Sequence, residues 1–177
     1  MKKLIAVLWI ALVGMTGALT AQTTTHTVNV AVNGLQVIRV YDGTAVGLTI
    51  VTPGTSGAAP ADVTNNSQYL QYTVIRVGTT TYKITGRISA GTIPAGVTLY
   101  VMAATPGSGG GGTKGTGAGE KTLSGTATDL VTGITSCYTG TGTSDGSRLT
   151  YRLSVTDWNT IVSAASTALT VTYTVTT

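Results

Sequence analysis

Residues 169–176 read Leu169-Thr170-Val171-Thr172-Tyr173-Thr174-Val175-Thr176. Side chains along a β-strand point to opposite faces in turn, so this stretch sorts into one apolar face, Leu169, Val171, Tyr173 and Val175, and one face of threonines alone. β-Branched and aromatic residues lose rotamer freedom in a helix and pack well on a pleated surface, which favours the same reading. Working back along the chain, the period of two recurs. Leu149, Tyr151, Leu153 and Val155 alternate with Thr150, Arg152 and Ser154; Val97, Leu99, Val101 and Ala103 share a face; Leu70, Tyr72 and Val74 alternate with Gln71 and Thr73. Tyr82, Ile84 and Ile88 continue the pattern, and earlier runs cover Thr27–Asn33, Leu35–Tyr41 and Val46–Val51.

Turn formers separate these runs. Asn33–Gly34 and Asp42–Gly43 are two-residue hairpin signals, and Pro94–Ala95–Gly96 is a further turn. Residues 53–66 and 138–147 read as polar loops, and 106–120 as a flexible Gly-rich loop. Leu123–Ile134 has room for two short strands, and Asp157 is placed to cap a single helical turn through Val162. No long amphipathic helix and no internal repeat is visible. The expected fold is all-β: one antiparallel Ig-like or Greek-key β-sandwich of about nine or ten short strands, spanning 22–177.

Residues 1–21 have the layout of a cleaved signal peptide: Lys2 and Lys3, an apolar run from Leu4 to Val13, then small residues up to a cut after Ala18 or Ala21. The apolar run is shorter than the roughly 20 residues a membrane span needs. The expected product is secreted or held at the cell surface by bacterial-type export, with no membrane span after cleavage.

Only 9% of the residues are charged, against about 25% in ordinary soluble domains. Thr, Ser, Asn and Gly supply the polarity instead, so copies repel one another weakly and self-association is easy. The net charge of +4 includes Lys2 and Lys3, and the remaining cations are scattered singly. Nucleic-acid binders cluster such residues, so that partner class is set aside. Cys137 is the one cysteine, which rules out a disulfide within the chain and leaves a buried thiol or a link between chains.

The residues that carry chemistry are few. Gly107–Gly112 formally matches G-x-G-x-x-G, but the Gly-rich stretch after it cannot open the helix on which phosphate binding depends. His26 is the one histidine and lies near the start of the processed chain, so no three-histidine metal site is available. Of the six acids, Asp42, Asp62 and Asp145 sit in turn contexts, Asp157 in a cap and Glu120 beside the Gly-rich loop, leaving Asp129. No catalytic residue, cofactor site or metal site is read from this set. Tyr72, Tyr151 and Tyr173 belong to inward faces. Tyr69 and Tyr138, beside loops, are the candidate exposed aromatics for surface glycans.

The two ends are the most suggestive. The processed chain opens on Gln22-Thr23-Thr24-Thr25-His26, enters the alternating Thr27-Val28-Asn29-Val30-Ala31-Val32, and closes on Ala168–Val175. This resembles the fimbrial subunits of bacterial surface fibres and related spore-coat-type secreted sandwiches, although common fimbrial subunits carry a pair of cysteines. The resemblance implies a non-enzymatic structural protein whose partners are other copies of itself. An N-terminal strand of one copy, with Val28, Val30 and Val32 as the inserted side chains, would fill a groove in the next by β-augmentation. The alternative expectation is a secreted carbohydrate- or surface-binding module.

Overall fold

The computed structural model describes residues 24–177; the signal-peptide reading of 1–21 lies outside them. The chain divides into one unit ending at Ala31 and a second spanning Val32–Thr177. In the first unit, residues 24–31 are exposed and form no strand.

The second unit is all-β. Its strands are β1 (Leu35–Tyr41), β2 (Val63–Ile75), β3 (Tyr82–Ala90), β4 (Val97–Ala103), β5 (Gly111–Gly117), β6 (Glu120–Thr122), β7 (Thr128–Tyr138), β8 (Ser147–Val155) and β9 (Thr170–Thr176). Every pairing is antiparallel. One hydrogen-bonded path runs β6-β4-β8-β2-β7-β3-β9, with β1 on β2 and β5 on β7.

The arrangement is consistent with a β-sandwich whose layers stay joined. The joint is β2. Its first part, Val63 to Leu70, pairs with β8, while Thr73 and Val74 pair with Tyr138 and Cys137 of β7. A register shift between Asn65 and Gln68 bends the strand. There Asn65 Oδ1 accepts hydrogen bonds from the Ser67 backbone N–H (3.0 Å) and hydroxyl (2.8 Å), satisfying groups the shift takes off the ladder. β4 and β6 approach β7 without pairing to it. Between them the inward residues make one core in which Leu70, Val74, Ile84, Leu130, Ile134 and Leu149 are fully buried. These come from four strands, β2, β3, β7 and β8, so the core exists only when distant parts of the sequence meet.

β2 and β3 follow one another along the same edge of β7. On their opposite edge, β1 pairs with β2 and β9 with β3. Leu35, at the start of β1, sits opposite Ile75, and Thr176, at the end of β9, opposite Lys83. The first strand of the sheet therefore begins close to where the last one ends, at the 76–82 connection. Gln36 Nε2 donates to the Tyr82 hydroxyl across this junction (3.3 Å).

The structure corrects several expectations. Residues 27–33 form no strand, and Asn33–Gly34 is not a hairpin turn, because neither residue has the positive φ that such a turn requires. Gly34 serves close approach instead: a Cβ there would lie 2.6 Å from the Val77 side chain. Asp42 and Gly43 do have positive φ, 70° and 62°. The chain after them, 44–52, enters no strand pairing among the described residues. Val46 and Leu48 alternate as expected but pack half-buried against the core without a ladder.

The reading of 106–120 as one flexible loop is also corrected, since β5 and the start of β6 lie within it. Pairing with β7 overrides the poor strand propensity of glycine. A Cβ at Gly112, whose φ is +77°, would stand 2.1 Å from the Ser136 carbonyl oxygen. Glycine there admits a neighbouring backbone rather than loosening the chain. Finally, Leu123–Ile134 holds the start of a single strand, β7, which runs on to Tyr138.

Candidate assembly site

Among the described residues, five charged side chains form three surface ion pairs. Arg152 on β8 donates through Nε (2.9 Å) and Nη2 (2.6 Å) to the two oxygens of Glu120, and through Nη1 to Asp62 (2.6 Å). Its guanidinium lies 4.0 Å from the centre of the Tyr100 ring. Two carboxylates thus meet, but on a cation. Asp62 is held below the usual carboxylate range by hydrogen bonds from Ser154 and Arg152, and Glu120 by Arg152. Both stay ionised at neutral pH, which suits neither to donate a proton as a general acid.

A pH dependence follows. Protonation favours the unfolded chain, in which these carboxyls have ordinary values. The stabilisation they give is therefore complete above the ordinary range near pH 4 and is lost as pH falls below it. The groups are exposed, so the expected effect is small and weakened by salt. Amide protection factors at Glu120–Thr122, which correct for the intrinsic pH dependence of exchange, should fall below about pH 4, and Arg152→Met should remove that acid sensitivity.

The other chemical candidates are equally quiet. Lys83 pairs with Asp129 at 3.2 Å. Asp157 caps its turn through Asn159 N–H (2.9 Å) and Thr160 Oγ1 (2.8 Å), as expected. His26 is exposed. Among the described residues no group of three or more His, Cys, Asp or Glu is placed to hold a metal ion. In the Gly-rich segment the Gly107 and Gly109 carbonyls converge on Lys114 Nζ. Carbonyls gathered on a cation are the opposite of the N–H cradle that binds phosphate.

Cys137 is buried between β2 and β5, and burial pushes its thiol up from the ordinary value. A buried protonated thiol reacts slowly. Maleimide should label Cys137 only after denaturation; rapid labelling of the native protein would contradict its placement.

Tyr72 and Tyr151 are buried, and the Tyr151 and Tyr173 hydroxyls hydrogen-bond to each other, so these rings fill the interior as expected. Tyr138 is 56% exposed, its ring beside Gly111, while Tyr69 is half-buried opposite Tyr41. Both lie on the outward face of the sheet, because Tyr138 pairs with Thr73, four residues along β2 from Tyr69. That is about 13 Å of strand. The space between is crossed by a polar row: Arg39 donates to Gln71 Oε1 (2.9 and 2.6 Å), and Gln71 Nε2 donates to the Gly142 carbonyl (2.7 Å). The two rings do not form one continuous platform.

What remains is backbone. Val28, Val30 and Val32 are 67%, 83% and 76% exposed, all in a segment with no ladder partner among the described residues. Among the described residues, β1, β5, β6 and β9 each pair on one side only, so within this set each leaves an edge of unmatched N–H and C=O groups. An apolar alternating segment without a sheet and sheet edges without a strand occur in the same molecule. The alternation of the segment is written in adjacent residues. The edges have no such local signature, since edge status depends on which strands meet in space.

No family model, no curated protein and no solved structure matches this chain.

Proposed function

We propose that this is an exported, non-enzymatic structural protein of the cell exterior whose copies associate by strand complementation. Residues 27–33 of one copy add to a sheet edge of another. The observation that carries the reading is the exposure of Val28, Val30 and Val32 on a segment patterned as a strand. Three alternating valines in water are unfavourable, by about 1.5–3 kcal/mol each relative to burial. A strand added to an open edge gains main-chain hydrogen bonds and covers one side-chain face. The low charge offers little repulsion to oppose contact between copies. The leader-like residues 1–21 support export, and the engagement of Arg152 with Glu120 and Asp62 and of Lys83 with Asp129 favours a structural use of these charges.

Sedimentation velocity over a hundredfold range of protein concentration, with electron microscopy of the same samples, tests the proposal. Oligomers or fibres that grow with concentration are expected. A single monomeric species throughout would refute it.

A further inference from the structure

We infer that the edge receiving the strand is the outer edge of β9, residues 170–176, of a second copy. The inference rests on the strand-complementation reading and names its acceptor.

The four open edges differ in how they are guarded. Natural edges are blunted by charge, by brevity, or by bulges and glycine that spoil the ladder. β6 has three residues, two of them charged, Glu120 and Lys121. β5 is four-sevenths glycine, with Gly112 and Gly115 at positive φ and a register shift against β7. β1 carries Arg39 at its middle, tied down by Gln71. β9 carries one irregularity, a register shift against β3 between Ile88 and Ala90 at its Thr170 end, and otherwise has none of these devices. Its seven residues, Thr-Val-Thr-Tyr-Thr-Val-Thr, contain no charge, proline or glycine and are all strong strand formers. As an isolated segment it has the composition of a self-pairing strand.

The side chains on β9 also lack a neighbour. Val171, Tyr173 and Val175 face the core yet are only partly buried; of their β3 partners, Gly86 and Ile84 are buried, whereas Ile88, opposite Val171, is itself partly open. An added strand would close that side. Residues 27–33 match it in length and in pattern. Three valines, Val28, Val30 and Val32, would continue the face of Val171, Tyr173 and Val175. Thr27, Asn29, Ala31 and Asn33 would lie along the threonine face. Strand pairing keeps opposed residues on one face of the sheet, so this match holds for a parallel or an antiparallel addition. Neither strand carries charge, so nothing sets a repulsive register.

The test uses the full protein in two ways. Thr172→Lys with Thr174→Lys places charge along the β9 edge on the outward face; Val37→Lys does the same for β1. Circular dichroism establishes that each variant is folded. The β9 pair is expected to raise the concentration needed for assembly about tenfold or more, and Val37→Lys to leave it within about twofold.

Separately, in a Cys137→Ser background, copies bearing Asn29→Cys are mixed with copies bearing Thr172→Cys, Thr174→Cys or Val37→Cys. Opposed residues on paired strands lie within disulfide reach. A mixed disulfide dimer is expected with a β9 cysteine and not with Val37→Cys. Assembly that needs Val28, Val30 and Val32 but survives the β9 lysines, or that links Asn29→Cys to β1 alone, would overturn the choice of edge and leave strand complementation standing. A wild-type protein that never assembles would sink both.

Discussion

Replacing Val28, Val30 and Val32 together by Asn is expected to abolish self-association while leaving the melting temperature of the sheet unchanged. The three valines are largely exposed, so their removal takes nothing from the core. Within an assembly each would leave water, and each is then worth at least about 1.5 kcal/mol. Three such losses weaken association about a thousandfold or more, since 1.4 kcal/mol corresponds to a factor of ten. Asparagine also lowers strand propensity, which acts in the same direction. Sedimentation and a thermal melt on the same sample separate the two effects. A lowered melting temperature with unchanged association would show that these valines serve the fold of their own chain.

Leu70→Ala is expected to produce the largest loss of stability of any single core truncation on β2. Leu70 is fully buried where β2 is flanked on both sides, paired with Val40 of β1 and Ser147 of β8. Truncation removes transfer energy and leaves a cavity that a strand held on both edges cannot easily collapse to fill. The expected cost is about 2–5 kcal/mol. That is a large share of the roughly 5–15 kcal/mol by which a domain is stable. A fall in melting temperature of roughly 5–20 °C should follow. A change of about one degree or less would mean that β2 is not the joint between the layers.

The strands that were legible in the sequence are those whose alternation coincides with burial. Leu70, Tyr72 and Val74, the Val97–Ala103 run, Leu149 and Tyr151, and the Leu169–Val175 face all point inward as their spacing indicates. So does the capping role of Asp157, which depends only on residues two and three positions away. The failures have a common cause: what decided them lies far off in the chain. Val46–Val51 alternates, but no ladder partner meets it. Gly111–Gly117 has loop composition but becomes a strand because β7 is beside it. Arg152 draws on Glu120 and Asp62, 32 and 90 residues away, so its cluster has no local signature. The candidate site divides along the same line. The Val28–Val32 pattern is written in adjacent residues, whereas the openness of β9 follows from the order β7-β3-β9.

The central claim, that residues 27–33 become a strand only by meeting another copy, is tested most directly by amide hydrogen exchange at those residues across a range of protein concentration. Protection that is absent in dilute solution and rises with concentration is the predicted result. Exchange that stays fast at every concentration, or protection already complete in the monomer, would contradict it.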